Sequence, residues 1–197
     1  MDIIKKLAQE LAIKEEQAKA AVQLIDEGNT IPFIARYRKE MTGALNDETL
    51  RNLHERLLYL RNLEEKKEQV INAITDQGKM TEDLKKKILS AETLVAVDDL
   101  YRPYRPKKQT RATKAKEKGL EPLANILLLQ KTTKSMEEEA AAFVNAEKGV
   151  ANAKEAIAGA KDIIAEMIAD MADYRKSIRN CTMKQGSLVV KAKDEKA

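Results

Sequence analysis

The sequence predicts an all-α protein, and three observations carry that prediction. Charged residues make up 35% of the chain beside 43% hydrophobic ones, a balance that suits long amphipathic helices. Strand formers are scarce, with no Trp and only 2 Phe, while Ala, Leu, Lys and Glu dominate. Apolar residues also recur at steps of three and four along most of the chain, which is the helical period. The expected architecture is a multi-helix assembly with a helix-turn-helix-like N-terminal hairpin and one long central helix. Its parts are N-terminal helices over 1–45, a helical domain over 46–186 that contains a basic segment at 101–119, and a frayed tail over 187–197 that reads as the start of a following domain.

The elements follow in order. Asp2 is placed to cap a first helix carrying Ile3, Ile4, Leu7 and Leu11, and a turn at Ala12-Ile13-Lys14 leads to a second helix from about Glu15 to Glu27, stopped by Gly28. The spacing from Ala8 through Leu11 and Ile13 to Ala18 and Val22 loosely fits a helix-turn-helix. It fits a plain helical hairpin equally well, because Ala12 or Ile13 stands where such turns often need glycine. Thr30 and Pro32 open a third helix running to about Glu40, with Phe33, Ile34 and Tyr37 on one face and Arg36, Arg38 and Lys39 elsewhere.

From Asp47 to Gln77 lies the longest periodic stretch, with Leu50, Leu53, Leu57, Leu60, Ile71 and Ile74 as its seam and Glu64 and Lys67 as breaks in it. Asn46 or Asp47 caps it and Gly78 ends it. Thr81 opens a helix with Leu84, Ile88 and Leu89 inward, and a shorter one follows through Leu94, Val97 and Leu100. Pro122 starts an apolar helix, and Ser135 with Glu138 has capping-box spacing. Two last helices are expected over about Ala156–Met171 and Asp173–Met183, their isoleucines and methionines directed to the core. Ser187 to Lys191 is a strand-like run without a partner strand.

Charge is concentrated. The whole chain is formally +4, yet Tyr101 to Gly119 holds Arg102, Arg105, Lys107, Lys108, Arg111, Lys114, Lys116 and Lys118 against Glu117 alone. Such a segment attracts polyanions locally. Pro103 and Pro106 bias Arg102 and Arg105 towards polyproline II, which would set Tyr101 and Tyr104 on one edge and the two arginines on another. Two accounts of the stripe stay open. In one, the cations neutralise phosphates and the tyrosines stack on bases; in the other, the tyrosines pack inward and Arg102 and Arg105 pair with Asp98, Asp99 or Glu137 to Glu139. The second suits the tyrosines better, the first the lysines beyond Pro106.

The residue inventory argues against an enzyme. There is no glycine-rich phosphate loop, the lone His54 and lone Cys181 supply neither a metal set nor a nucleophile with its base, and no cofactor is implied. Adjacent Asp98 and Asp99 point about 100° apart on a helix, so pairing with Arg102 is their expected role. One cysteine suits a reducing compartment, and the longest apolar run, Ile126 to Leu129, is far short of a membrane span. Cytoplasmic localisation without a membrane role is the expectation.

Two stretches, IPFIARYRKEMTGAL (31–45) and DDLYRPYRPKKQTRATKAKEKGLEPLA (98–124), with LLYLRNLEEKK between them and NAEKGVANAKEAIAGAKDIIAE after, resemble the N-terminal region of the Tex family of bacterial transcription accessory proteins. The resemblance implies a helical N-terminal part of a longer protein that continues with RNase-H-like, helix-hairpin-helix and OB-fold RNA-binding domains, and a likeness to a eukaryotic elongation factor. It places Arg36, Arg38, Lys39, Arg102, Lys107, Lys108, Arg111 and Lys114 inside matched motifs. Arg105 and Lys116 complete the basic stripe. The expected function is nucleic-acid binding through backbone electrostatics, to single-stranded RNA or DNA, weak and salt-sensitive here because the family's main contacts belong to the OB-fold domain. The alternative is a helical scaffold that positions the RNase-H-like and OB-fold domains or docks on RNA polymerase.

Overall fold

The computed structural model describes residues 2–190 and is all-α, with eleven α-helices and one 3-10 turn among the described residues. They form two compact units, Met1–Val97 and Asp98–Ala197. That boundary falls inside the 46–186 stretch treated above as one domain.

In the first unit, α1 (Ile3–Glu10) and α2 (Glu15–Asp26) form the N-terminal hairpin. Asp2 caps α1 by accepting from the Lys5 amide at 3.2 Å. The reversal between the helices uses Ala12 at φ +52°, a left-handed conformation that a Cβ disfavours and the reason glycine is common there. Helix α3 (Ile31–Tyr37) is shorter than expected, because Arg38 leaves helical angles at φ −128°. The fully buried Thr42 then shares its hydroxyl hydrogen between the carbonyls of Arg38 and Lys39, each at 3.3 Å, while its amide donates to the Arg38 carbonyl at 3.2 Å, so side-chain and backbone bonds together hold the turn.

Helix α4 (Asp47–Asp76) is the long central helix, capped by Asn46 accepting from the Thr49 amide at 2.7 Å and ended at Gly78, φ +66°. Leu50, Leu53, Leu57 and Leu60 bury their side chains against Leu7, Ala18, Ala21, Leu24 and Ile34. Bidentate pairs fasten the hairpin to α4: Arg56 to Glu10 at 2.6 and 2.9 Å, and Arg61 to Asp26 at 2.7 Å twice.

Beyond Leu60 the seam runs through Leu63, Lys67, Val70 and Ile74, all buried. Lys67 therefore does not break the seam as its charge suggested; it is only 3% exposed. Its ammonium donates to Glu64 and to the Leu89 carbonyl, both at 2.9 Å. On α5 (Glu82–Ser90), capped by Thr81, Ile88 is buried but Leu89 faces solvent, contrary to the inward placement expected.

Helix α6 (Leu94–Tyr101) carries the boundary between the units. In the second unit, α7 (Arg111–Glu117), α8 (Glu121–Leu129) and α9 (Met136–Ala141, with its capping box at Ser135 and Glu138) pack around α10 (Ala153–Asp170). Ala112, Ala115, Leu123, Ala156, Ala160 and Ile163 form much of this core. Small side chains allow α7 and α10 to approach closely.

The last helix, α11 (Ala172–Gln185), buries none of its residues. Met167, Ile168 and Met171, expected in the core, are exposed together with Tyr174 and Ile178. Residues 187–190 are irregular and exposed, not a strand, while Lys191 and the tail to 197 lie outside the described residues. No described helix is long and apolar enough to cross a membrane.

Candidate nucleic-acid interface

The basic segment opens differently from the polyproline II strip that its prolines suggested. Helix α6 passes directly into a 3-10 turn at Arg102–Tyr104, with Pro103 in a first-turn position where its missing N–H costs nothing. Arg102 thus stays helical, and only Arg105, at φ −65° and ψ 133°, has polyproline II angles. Tyr101 and Tyr104 are half-buried, and the Arg105 guanidinium lies 5.6 Å from the Tyr101 ring centroid.

Most of the segment's cations are answered within the second unit. Arg102 donates to Asp170 at 3.0 Å, and Arg105 to Asp98 at 3.0 Å. Lys107 is held by both Glu166 and Asp170, and Thr110 donates its hydroxyl to the other Glu166 oxygen at 2.9 Å. Lys116 pairs with Glu121 at 3.1 Å, and Lys118 donates to the Gly149 carbonyl at 2.7 Å. Asp99 receives Arg175 and Arg179 from α11, and Arg102 is answered by Asp170 in place of the expected aspartate pair. The carboxylates that hold Arg102 and Lys107 lie outside the pairs that the sequence suggests. Their signal is present: Asp162, Glu166 and Asp170 stand at intervals of four on α10, which lines them along one helix face.

Three cations of the segment remain available. Lys108 and Lys114 are exposed and have no carboxylate partner among the described residues. Arg111 keeps 87% of its side chain exposed, with Asp162 at 3.4 Å. A groove of about 550 Å³ runs between the segment and α10, where Arg102, Arg105, Lys107, Lys108 and Arg111 face Asp162, Glu166 and Asp170. Cations therefore outnumber carboxylates along it. In the first unit, Arg36, Arg38 and Lys39 are exposed and unpaired with carboxylates among the described residues.

The Lys107 cluster has a pH signature. Burial pulls the Lys107 ammonium pKa down, but hydrogen bonds to Asp170 and Glu166 outweigh it and leave the value raised. Lys107 in turn holds the Glu166 carboxyl below its ordinary range. Glu166 therefore adds stability that is complete above its unfolded pKa of about 4.3 and is lost as pH falls through the lower folded value. The Lys107 contribution persists below its unfolded value and fades only as pH rises through the raised one. Wild type and Glu166→Gln are accordingly expected to differ in urea midpoint at pH 7 and to converge only as pH falls through the lowered folded value of Glu166.

Comparison with known proteins gives this geometry its setting. Residues 1–75 match the family described as Tex-like protein N-terminal domain, and residues 131–197 match Tex central region-like. The chain belongs to the Tex family. This Tex-family chain is 47% identical over 183 residues to Protein YhgF of Escherichia coli, covering 93% of the chain and 24% of that protein. It is 43% identical over 180 residues to Transcriptional accessory protein Tex of Neisseria gonorrhoeae, covering 91% and 23%. Similarity extends to the human S1 RNA-binding domain-containing protein 1, 32% identical over 186 residues, covering 93% and 18%. The chain spans about a quarter of the length of the bacterial curated relatives it matches.

Proposed function

We propose that this Tex-family chain is a non-catalytic, nucleic-acid-binding accessory module of the transcription machinery in the cytoplasm, contacting the phosphate backbone through Lys108, Arg111 and Lys114 with little sequence preference. The observation that carries this reading is that these three side chains stay open to solvent in a segment whose other cations are engaged. Lys107, Arg102, Arg105 and Lys116 contribute long-range field and would touch a phosphate only by giving up a carboxylate. Two relatives support the setting by their names, one a transcriptional accessory protein and one carrying an S1 RNA-binding domain. Each phosphate neutralised releases counterions, which makes such binding strongly salt-dependent.

A salt titration tests the proposal. With a labelled single-stranded RNA, log K is expected to fall by about 0.7 per log unit of salt for every phosphate contacted, and by about 0.9 on duplex DNA. Lys108→Glu with Lys114→Glu should lower affinity about 10-fold or more at low salt and flatten the slope by about two contacts. Asp162→Asn, which releases Arg111, should move affinity the other way. Unchanged affinity and slope in the double reversal would remove the segment from the binding surface.

A second reading has its own support. The exposed row Ile168, Met171, Tyr174 and Ile178 is apolar surface of the kind that meets protein. It favours a scaffold that positions further domains of a longer Tex protein or docks on RNA polymerase.

A further inference from the structure

Helix α3 presents a second surface, in the first unit. Ile34 is fully buried while Phe33 is 37% and Tyr37 61% exposed, so this helix turns its two aromatic rings outward. The rings stand one helical turn apart with centroids at 5.3 Å and a tilt of 46°. Arg38 lies over Phe33 at 5.4 Å from its centroid. Arg36 and Lys39 flank the pair, also exposed, and no carboxylate among the described residues pairs with any of the three.

The patch is held in place before any ligand arrives. Beyond Arg38, the buried Thr42 hydroxyl fixes the carbonyls of Arg38 and Lys39. Gln17 of α2 donates to the carbonyls of Thr42 and Gly43 at 3.2 and 2.9 Å and accepts from the Lys14 amide at 3.1 Å. Gly43 has φ +59°, and a Cβ there would come within 2.8 Å of the Gln17 amide nitrogen, so the turn admits Gln17 because it has no side chain. Preorganisation of this kind lowers the entropic cost of binding.

We infer that Tyr37 is a stacking platform for an exposed base of single-stranded nucleic acid, with Phe33 backing its ring and posing Arg38, and with Arg36 and Lys39 receiving the neighbouring phosphates. Rings alone would suit many apolar partners; rings set among unpaired cations suit a strand that offers a base face beside each negative charge. A duplex keeps its base faces stacked inside and gains only the electrostatic part. The inference rests on the preceding reading for the class of ligand alone, since it uses different residues in a different unit.

The chain has no Trp, so Tyr37→Trp gives a single emission reporter at the platform. Its emission is expected to be quenched by a single-stranded 12-mer of U or dT and not by a 12-base-pair duplex. Phe33→Leu with Tyr37→Leu keeps apolar cover without rings, and should weaken single-strand binding by about 10-fold while leaving duplex affinity and the circular dichroism spectrum unchanged. Emission that stays constant while anisotropy reports saturation, or single-strand affinity untouched in the leucine pair, would overturn the platform. A protein-docking patch would give that same null response to every oligonucleotide. Quenching that survives Lys108→Glu with Lys114→Glu, with salt slope unaltered, would overturn the basic-segment reading alone; absence of any oligonucleotide binding would overturn both.

Discussion

Lys67→Glu is expected to cost the first unit about 3–5 kcal/mol, the range seen when a buried ion pair loses one partner and leaves an uncompensated charge. The lysine sits in the leucine seam of α4 at 3% exposure and donates to Glu64 and the Leu89 carbonyl. Glutamate would set two carboxylates side by side and aim an acceptor at a carbonyl oxygen. Lys67→Met should fall within about 1–2 kcal/mol of wild type, because its stem fills the same space and puts no unpaired charge of its own into the seam. Urea denaturation followed by hydrogen exchange of the α4 amides measures both. A glutamate variant as stable as wild type would show that the ammonium plays no part in closing the seam.

The second large effect is expected at Gly159, in the second unit. A Cβ built there would lie 2.5 Å from a methyl of Leu120 and 3.3 Å from the Ala115 Cβ. Leu120 is 2% exposed and has little room to withdraw. Gly159→Ala sets that clash against the ~1 kcal/mol that alanine gains over glycine inside a helix, and should be close to neutral. Gly159→Val adds two methyl groups at the contact of α10 with α7, and is expected to lower stability by about 2–3 kcal/mol. A thermal melt in which valine and alanine coincide would show that α7 yields more readily than its packing implies.

Helix starts were legible because they depend on two or three adjacent residues. Asp2, Asn46, Thr81 and Ser135 each accept from an amide three positions on, and that spacing is written in the sequence. The place of Lys67 in the seam is not legible, because periodicity places a residue on a face without saying whether its charge is met there. The basic segment shows the same limit on a larger scale. Its cations were evident, but their partners Glu166 and Asp170 lie 59 and 63 positions from Lys107. A single row of carboxylates four apart on α10 hinted at them; only the packing of α10 against the segment makes the pairing. At α3, the pattern joined Phe33, Ile34 and Tyr37 on one face, yet burial divides them, because the chain leaves the helix at Arg38 and only Ile34 meets the core.

If the groove takes a polyanion as proposed, Asp162, Glu166 and Asp170 would work as a tethered rival to it. Fixed on one rigid rod, they act at a high effective concentration that a dilute monovalent solute cannot match. An isolated phosphate would have to displace them one by one with nothing gained between steps. A ligand bearing negative charges in series could exchange several in a single event. On the proposed reading the row would filter by charge density along a line, whatever letters that line spells.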